Sequence, residues 1–384
     1  MREQLISYLE SHEEEQFELL EKLVLQASYS KNIDDVDKVA DLIIDSLKEC
    51  ELDLEIIDGQ GIRGKHLLFK TAACREQKQL LLLGHMDTVF PPELGFNWYK
   101  REGGKVYGPG VIDMKGGLVV VVSAIKAYHK LGILQQMPIA LLCNSDEETG
   151  SRTSTKLIEE EAAKSFAALV FECGGLNGEI VTGRKGRVGY EIEVKGKAGH
   201  AAFAGPDKAS AILELAHKIV ALEALNDAEK QFVLNVGVVK GGIGPNTVAE
   251  HARCVIDTRF LTVEDFKNSR ESIEKIALEC STPHTCALLH IDSSRPPMEQ
   301  SEENRMLFKQ VKGIADELGI KVCEELRSGV SDANTIAMSK VPVIDGLGPI
   351  GDCDHSDREY MIEKSLPERT LLSTLFIAQL TLPA

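Results

Sequence analysis

Four short apolar runs, at 66–71, 79–84, 138–144 and 168–171, limit this chain's fold more than any other feature. Each has the length of a buried strand, and helical patterns separate them, the clearest at 114–131 and 150–164. Near-continuous apolar strands belong in a sheet covered on both faces, and strands alternating with helices build an α/β domain. Two amphipathic helices come first, at about 3–26 and 35–50, with leucines and valines at helical spacing.

The pattern changes near Thr182. A strand at 189–194 alternates as if one face were solvated; a helix (208–225), strands (232–239 and 253–260), a helix (263–280) and a strand (287–291) follow. That β-α-β-β-α-β order is the ferredoxin-like unit. From about Gln300 the first pattern returns: a helix to Leu318, a strand near Lys321, a helix from Ser331, a strand near Val341 and a last helix after Pro367. The expected organisation is a discontinuous domain, 1–181 and 294–384, carrying an insertion at 182–293. A chain of 384 residues has room for two or three domains.

Asp and Glu number 60 against 43 Lys and Arg, a net charge of −17. That balance argues against binding a phosphate backbone, which needs basic surface. No apolar run reaches the roughly 20 residues of a membrane span, and the N-terminus lacks the apolar core of a secretion signal. Nine cysteines without a Cys-x-x-Cys pair do not form a disulfide framework or a thiolate zinc site. A reduced cytoplasm is the expected location.

Chemistry gathers where the apolar strands end. His85 and Asp87 close the run Leu81-Leu82-Leu83-Gly84; two apart, they leave one face of the strand. Asp113 sits in a glycine-rich loop (108–117) just before a helix. Asp146-Glu147-Glu148 follows the strand at 138–144, Glu172 follows the strand at 168–171, and His355 lies in a polar loop near the last helix. Singly, these have ordinary readings: a histidine near a turn, a helix N-cap, an acidic surface turn. Together they fall on one predicted sheet edge, the edge where α/β sites form. Several carboxylates and an imidazole brought together repel and shift one another's pKa, a conflict that divalent cations remove. Nitrogen and oxygen donors without thiolate suit a catalytic zinc site, and two metals sharing a carboxylate and a water would use the whole set.

Two other readings fail on the sequence. Gly59-Gln60-Gly61-Ile62-Arg63-Gly64-Lys65-His66 has phosphate-loop spacing, but His66 replaces Ser/Thr and a strand follows where a helix is required. No G-x-S-x-G elbow supports a serine hydrolase.

At these residues the sequence resembles the di-zinc aminoacylase/carboxypeptidase family, most nearly its glutamate carboxypeptidase branch, from about Leu81 to Tyr360. The motifs are GHMDTVFP, GPGVIDMKGG, DEETGS, FECGG and DHSDREY, in that order. The resemblance implies an α/β, zinc-peptidase-like catalytic domain, its central sheet covered by helices, with an inserted ferredoxin-like α+β lid. It also implies two Zn²⁺, with Co²⁺ or Mn²⁺ able to use the same ligands. His85 and Glu172 would hold one metal and Glu148 and His355 the other, with Asp113 between them. Asp87 would orient His85, and Glu147 would be the general base. His200 in GKAGHAAF takes the oxyanion-stabilising position, while Asn246, Arg259 and Arg295 resemble substrate-contacting positions. Ser331 and Asp332 match a further motif whose role stays open. The chain departs from the branch at Cys173, Ala249, Ser328 and Asp354, none of them an implied ligand.

The implied reaction is hydrolysis of the amide of a C-terminal or N-acylated amino acid. Two alternatives stand beside it: an N-acyl-amino-acid deacylase of the acetylornithine deacetylase or desuccinylase type, and a non-catalytic metal-binding relative. The expected partners are a small acylated amino acid or peptide and a second copy joined through the lid, with no nucleic acid and no membrane. Whether the lid histidine acts in cis or in trans stays open.

Overall fold

A computed structural model of the chain describes residues 1–382. They form two compact units. The first comprises Met1–Gly183, Gln300–Leu326 and the chain from Ser331 onward; the second comprises Arg184–Glu299 and Arg327–Val330.

A six-stranded mixed sheet organises the first unit, in the order Asp53–Ile57, His66–Lys70, Ile139–Asn144, Gln79–His85, Ser165–Val170, Val343–Ile344. The last four strands run parallel, and the first two add an antiparallel edge. Leu80, Leu82, Leu141 and Leu169 are fully buried or nearly so, as a sheet covered on both faces requires. Helix Lys115–Lys130 is buried almost all round and packs on the last helix, Ser365–Thr381, with Tyr128 Oη donating to Thr374 O at 2.5 Å. Its first turn lies against the sheet's end: a Cβ on Gly117 would stand 1.9 Å from Phe171 O. Gly117 therefore lets the start of this helix, and the Asp113 loop before it, approach the segment that leads to Glu172.

The α/β architecture is the one the apolar pattern implies, with three local differences. The first helix is two, Arg2–Ser11 and Glu13–Leu25, broken at His12. His12 leaves the helical region (φ −121°, ψ 25°) and sets Nδ1 2.7 Å from Tyr8 O; Glu13, Glu14 and Glu15 then open a new helix where its dipole favours acids. Strand Asp53–Ile57, outside the expected runs, is an edge strand whose first four residues are exposed. The helix expected from Gly150 starts only at Thr155.

The second unit carries an antiparallel sheet, ordered Val233–Gly241, His251–Phe260, Gly186–Lys195, Cys286–Arg295, with helices Ala211–Glu223 and Val263–Leu278. The chain order is β-α-β-β-α-β. Val188, Tyr190, Ile192 and Val194 meet Leu215 and Leu222 in its core. Within that core Glu214 and Lys218, 1% and 2% exposed, form an ion pair of 3.0 Å. Glu214 also accepts from Ser281 N and Thr282 N, and Lys218 donates to Ile276 O and Glu279 O. Burial alone would raise the Glu214 pKa, but the bonds from Thr282 and Lys218 pull it down to about 2. Its contribution to stability is thus present above the ordinary carboxylate value of about 4.3 and fades as pH falls toward about 2. Lys218→Ala strands that carboxylate, and we expect a loss of about 3 kcal/mol in the denaturant unfolding of this unit. An unchanged midpoint would show that the pair contributes nothing.

No helix among the described residues is long and apolar enough to cross a membrane.

Candidate metal centre

The C-terminal ends of the parallel strands place the acids. Strand Gln79–His85 ends in His85, 1% exposed. Strand Ile139–Asn144 runs into the 3-10 turn Glu147–Thr149, and strand Ser165–Val170 leads to Glu172, 8% exposed. Asp113 comes from the loop before helix Lys115–Lys130, and His355 from the loop after the short strand Gly351–Asp352.

Asp113 is the meeting point. Its Oδ1 lies 3.0 Å from His85 Nε2 and its Oδ2 lies 3.1 Å from His355 Nε2. The same His85 nitrogen is 3.6 Å from Glu172 Oε1, and the same His355 nitrogen is 3.2 Å from Glu148 Oε2. Two imidazole–carboxylate pairs therefore flank one shared carboxylate. His355 holds this position with φ at 57°, a left-handed value uncommon for a residue with a side chain and frequent at functional sites.

Asp87, fully buried, works in two directions. Its backbone carbonyl lies 2.9 Å from His85 Nδ1 and its carboxylate 3.4 Å from the same nitrogen. That carboxylate also accepts from Glu147 N at 3.2 Å and Glu148 N at 3.3 Å. One residue thus orients the imidazole and fixes the acidic turn.

Beneath that turn lies a buried polar layer. Asp146 accepts from Thr153 N (2.7 Å), Thr153 Oγ1 (2.8 Å) and Ser154 Oγ (2.6 Å). Asp332 accepts from Asn144 Nδ2 (2.6 Å) and Ser151 Oγ (2.5 Å). His66 stands 3.0 Å from Thr153 Oγ1 and accepts from Ser145 N at 3.2 Å. Ser331 Oγ donates to Asp345 at 2.7 Å. The motif at 331–332 therefore supports the 144–154 segment from below. His66 shares this support, while Glu359 accepts backbone N–H groups of the Asp113 loop instead, and neither stands out in the sequence as a supporting group.

The electrostatics are conflicted in the way a cation resolves. Burial pushes Glu148 and Glu172 above the usual carboxylate range, and nearby Asp113 adds to both shifts. Hydrogen bonds to Asp113 and Glu148 raise His355; His85 is raised by Glu172, Asp113 and Asp87 against the effect of its burial. Asp113, despite burial, is held below the usual range by the two imidazoles. Ligand atoms of His85, Asp113 and Glu148 lie within 4.8 Å of one another, as do those of Asp113, Asp354 and His355. Two overlapping sets sharing Asp113, with imidazole and carboxylate donors, suit a pair of divalent cations.

The other residues that the motifs single out belong to the second unit. His200, exposed, lies on a two-residue strand paired with Thr247–Val248, and the carbonyl of the adjoining Asn246 accepts from Ala201 N at 2.9 Å. Arg259 donates to Asp257 Oδ2 at 2.9 Å and to Ser328 O at 3.3 Å. Arg295 is buried, 7% exposed.

Residues 81–379 match the family described as peptidase family M20/M25/M40. Carboxypeptidase G2 of Pseudomonas sp. (strain RS-16) is 31% identical over 310 residues, 80% of this chain and 75% of that protein. Succinyl-diaminopimelate desuccinylase of Wolinella succinogenes is 27% identical over 321 residues, 78% of this chain and 84% of that one. Among solved structures, the aminopeptidase PepT of Bacillus cereus superposes with a TM-score of 0.78 at 20% identity, covering 98% of each chain, a likeness of fold.

Proposed function

The chain belongs to peptidase family M20/M25/M40 and is a metal-dependent amide-bond hydrolase; from that premise we propose that it uses two zinc ions to release a C-terminal or N-acylated amino acid, as a glutamate carboxypeptidase does. The observation that carries this reading is the placement of His85 and His355 on opposite oxygens of Asp113. His85, Asp113 and Glu172 would hold one ion, and Asp113, Glu148 and His355 the other. When bound, the pair supplies Lewis acidity that polarises the scissile carbonyl and lowers the pKa of water. Glu147 takes the proton of the attacking water and hands it to the leaving amide nitrogen, first base and then acid. Asp87 keeps Glu147 in place through the backbone N–H it accepts.

The assignments in the second unit rest on motif alone: His200 to the developing oxyanion, Asn246, Arg259 and Arg295 to the substrate. An arginine there would pair with the substrate carboxylate through two parallel hydrogen bonds. Two further readings belong to the proposal. A homodimer joined through the second unit is supported by apolar side chains exposed on its edge strands, among them Val239 (56%) and Leu288 (46%). A cytoplasmic location is supported by nine free cysteines.

The test is a substrate panel with metal analysis. We expect release of a C-terminal glutamate from a peptide to exceed hydrolysis of acetylated or succinylated amino acids, with two zinc ions per chain. A preference for the succinyl or acetyl compounds would move the chain to the deacylase reading. Bound metal without turnover of any of them would make it an inert relative.

A further inference from the structure

We propose that Glu359 is a positioning residue that sets where Asp113 stands between the two imidazoles, and so governs how tightly the centre holds metal. The proposal rests on the two-metal reading above and concerns a residue that touches neither substrate nor, by its placement, the ions.

Glu359 is fully buried. Its Oε2 accepts from Gly110 N at 2.8 Å; its Oε1 accepts from Ile112 N at 2.9 Å and from Asp113 N at 3.1 Å. Three N–H groups of the loop before helix Lys115–Lys130 thus converge on one carboxylate. Successive backbone N–H groups arranged this way form a nest that commonly binds an acceptor from outside the loop; here the acceptor is the protein's own carboxyl group. The loop is shaped for it. Gly110 has φ +78°, and a Cβ there would come within 3.1 Å of Thr88 Cγ2 and of Lys115 Cδ. Lys115 N closes the loop on Gly110 O at 2.8 Å.

Position in the chain gives these bonds their consequence. Glu359 is four residues beyond His355, in the segment between Gly351–Asp352 and the strand Tyr360–Ile362. Gripping the backbone of Asp113 from that segment ties the Asp113 loop to the loop that brings His355 to Asp113 Oδ2. One buried carboxylate thereby fixes both members of the contact on which the second ion depends. Groups that orient ligands in this way typically change metal affinity 10–100-fold when replaced.

Glu359→Gln is the direct test, because an amide turns an NH2 toward N–H groups that need an acceptor. Zinc affinity would be measured by competition with a chromophoric chelator, alongside the visible spectrum of the cobalt-substituted protein and the melting temperature of the metal-free protein. We expect wild type to take up two ions. E359Q should bind at least one of them roughly 10–100-fold more weakly, with altered cobalt bands, a lower kcat and a little-changed KM. A purely architectural role would lower the metal-free melting temperature and leave affinity and spectrum untouched; that result, or wild-type behaviour throughout, overturns the proposal. If E359Q does not fold, Glu359→Asp decides: it keeps the carboxyl group but withdraws it by one methylene, so weakened zinc binding supports the proposal and wild-type affinity overturns it. Failure of the wild type itself to bind two ions would instead overturn the two-metal reading, and this inference with it.

Discussion

Glu147→Gln is expected to retain both metal ions and to lose roughly 10²–10⁴ of kcat, the range ascribed to a single acid–base group. The two neighbouring acids divide along the geometry. Glu148 reaches His355 at 3.2 Å and its ligand atom lies within 4.8 Å of those of His85 and Asp113, whereas Glu147 matches the general base by motif. A glutamine at 147 leaves the turn in place, because Asp87 holds that turn through backbone N–H groups. The amide can neither take a proton from water nor return one to a leaving nitrogen, so KM should change little while kcat collapses. The acid limb of the kcat/KM profile should also disappear. Glu148→Gln gives the contrast, since it should release metal and lose rate together. Activity in E147Q equal to wild type would remove Glu147 from the mechanism.

The sheet edge was legible because the strands announce their own ends. An apolar run stops where the chain leaves the buried sheet, and the residues that follow stand on the edge where α/β sites form. His85, Glu147, Glu148 and Glu172 could be gathered in that way. Their pairing could not. Which oxygen of Asp113 meets which imidazole depends on loops from separate parts of the chain, and no local periodicity encodes it. Glu359 escaped for a related reason: it acts by accepting backbone N–H groups, an activity with no residue-type signature at the other end. The late start of the helix at Thr155 has a side-chain cause. Asp146 captures Thr153 N, and Gly150 and Ser151 take left-handed φ values of 90° and 50°, so the segment makes turns that an acidic N-terminal pattern does not foretell.

Stripping the metal with a chelator is expected to abolish hydrolysis, and the resulting loss of stability should widen as pH rises. The sign follows from the side chains of the centre. Without a cation, burial and neighbouring charge hold Glu148 and Glu172 above their unfolded values, and hydrogen bonds to Asp113 and Glu148 hold His355 above its own. A group whose folded pKa is raised contributes stability that is complete below its unfolded pKa and is lost as pH climbs through the folded one. The stripped protein should therefore weaken from about pH 5 upward, as carboxyls that resist ionisation and imidazoles that resist neutralisation give up their protons. Asp113, held below its usual range, opposes this in the acid region, well below pH 5. Loaded protein escapes the loss because metal ligands must already be deprotonated, and uptake therefore releases protons. Each proton released makes apparent affinity climb about tenfold per pH unit, or about 1.4 kcal/mol of added stabilisation. Melting temperatures of loaded and stripped protein at about pH 6, 7 and 8 would display the widening gap. A gap that stays constant or closes would mean that His355, Glu148 and Glu172 do not give up protons to a cation, and that the ion binds elsewhere. Re-addition of zinc, cobalt or manganese to the stripped protein would then identify which ion these ligands accept with recovery of rate.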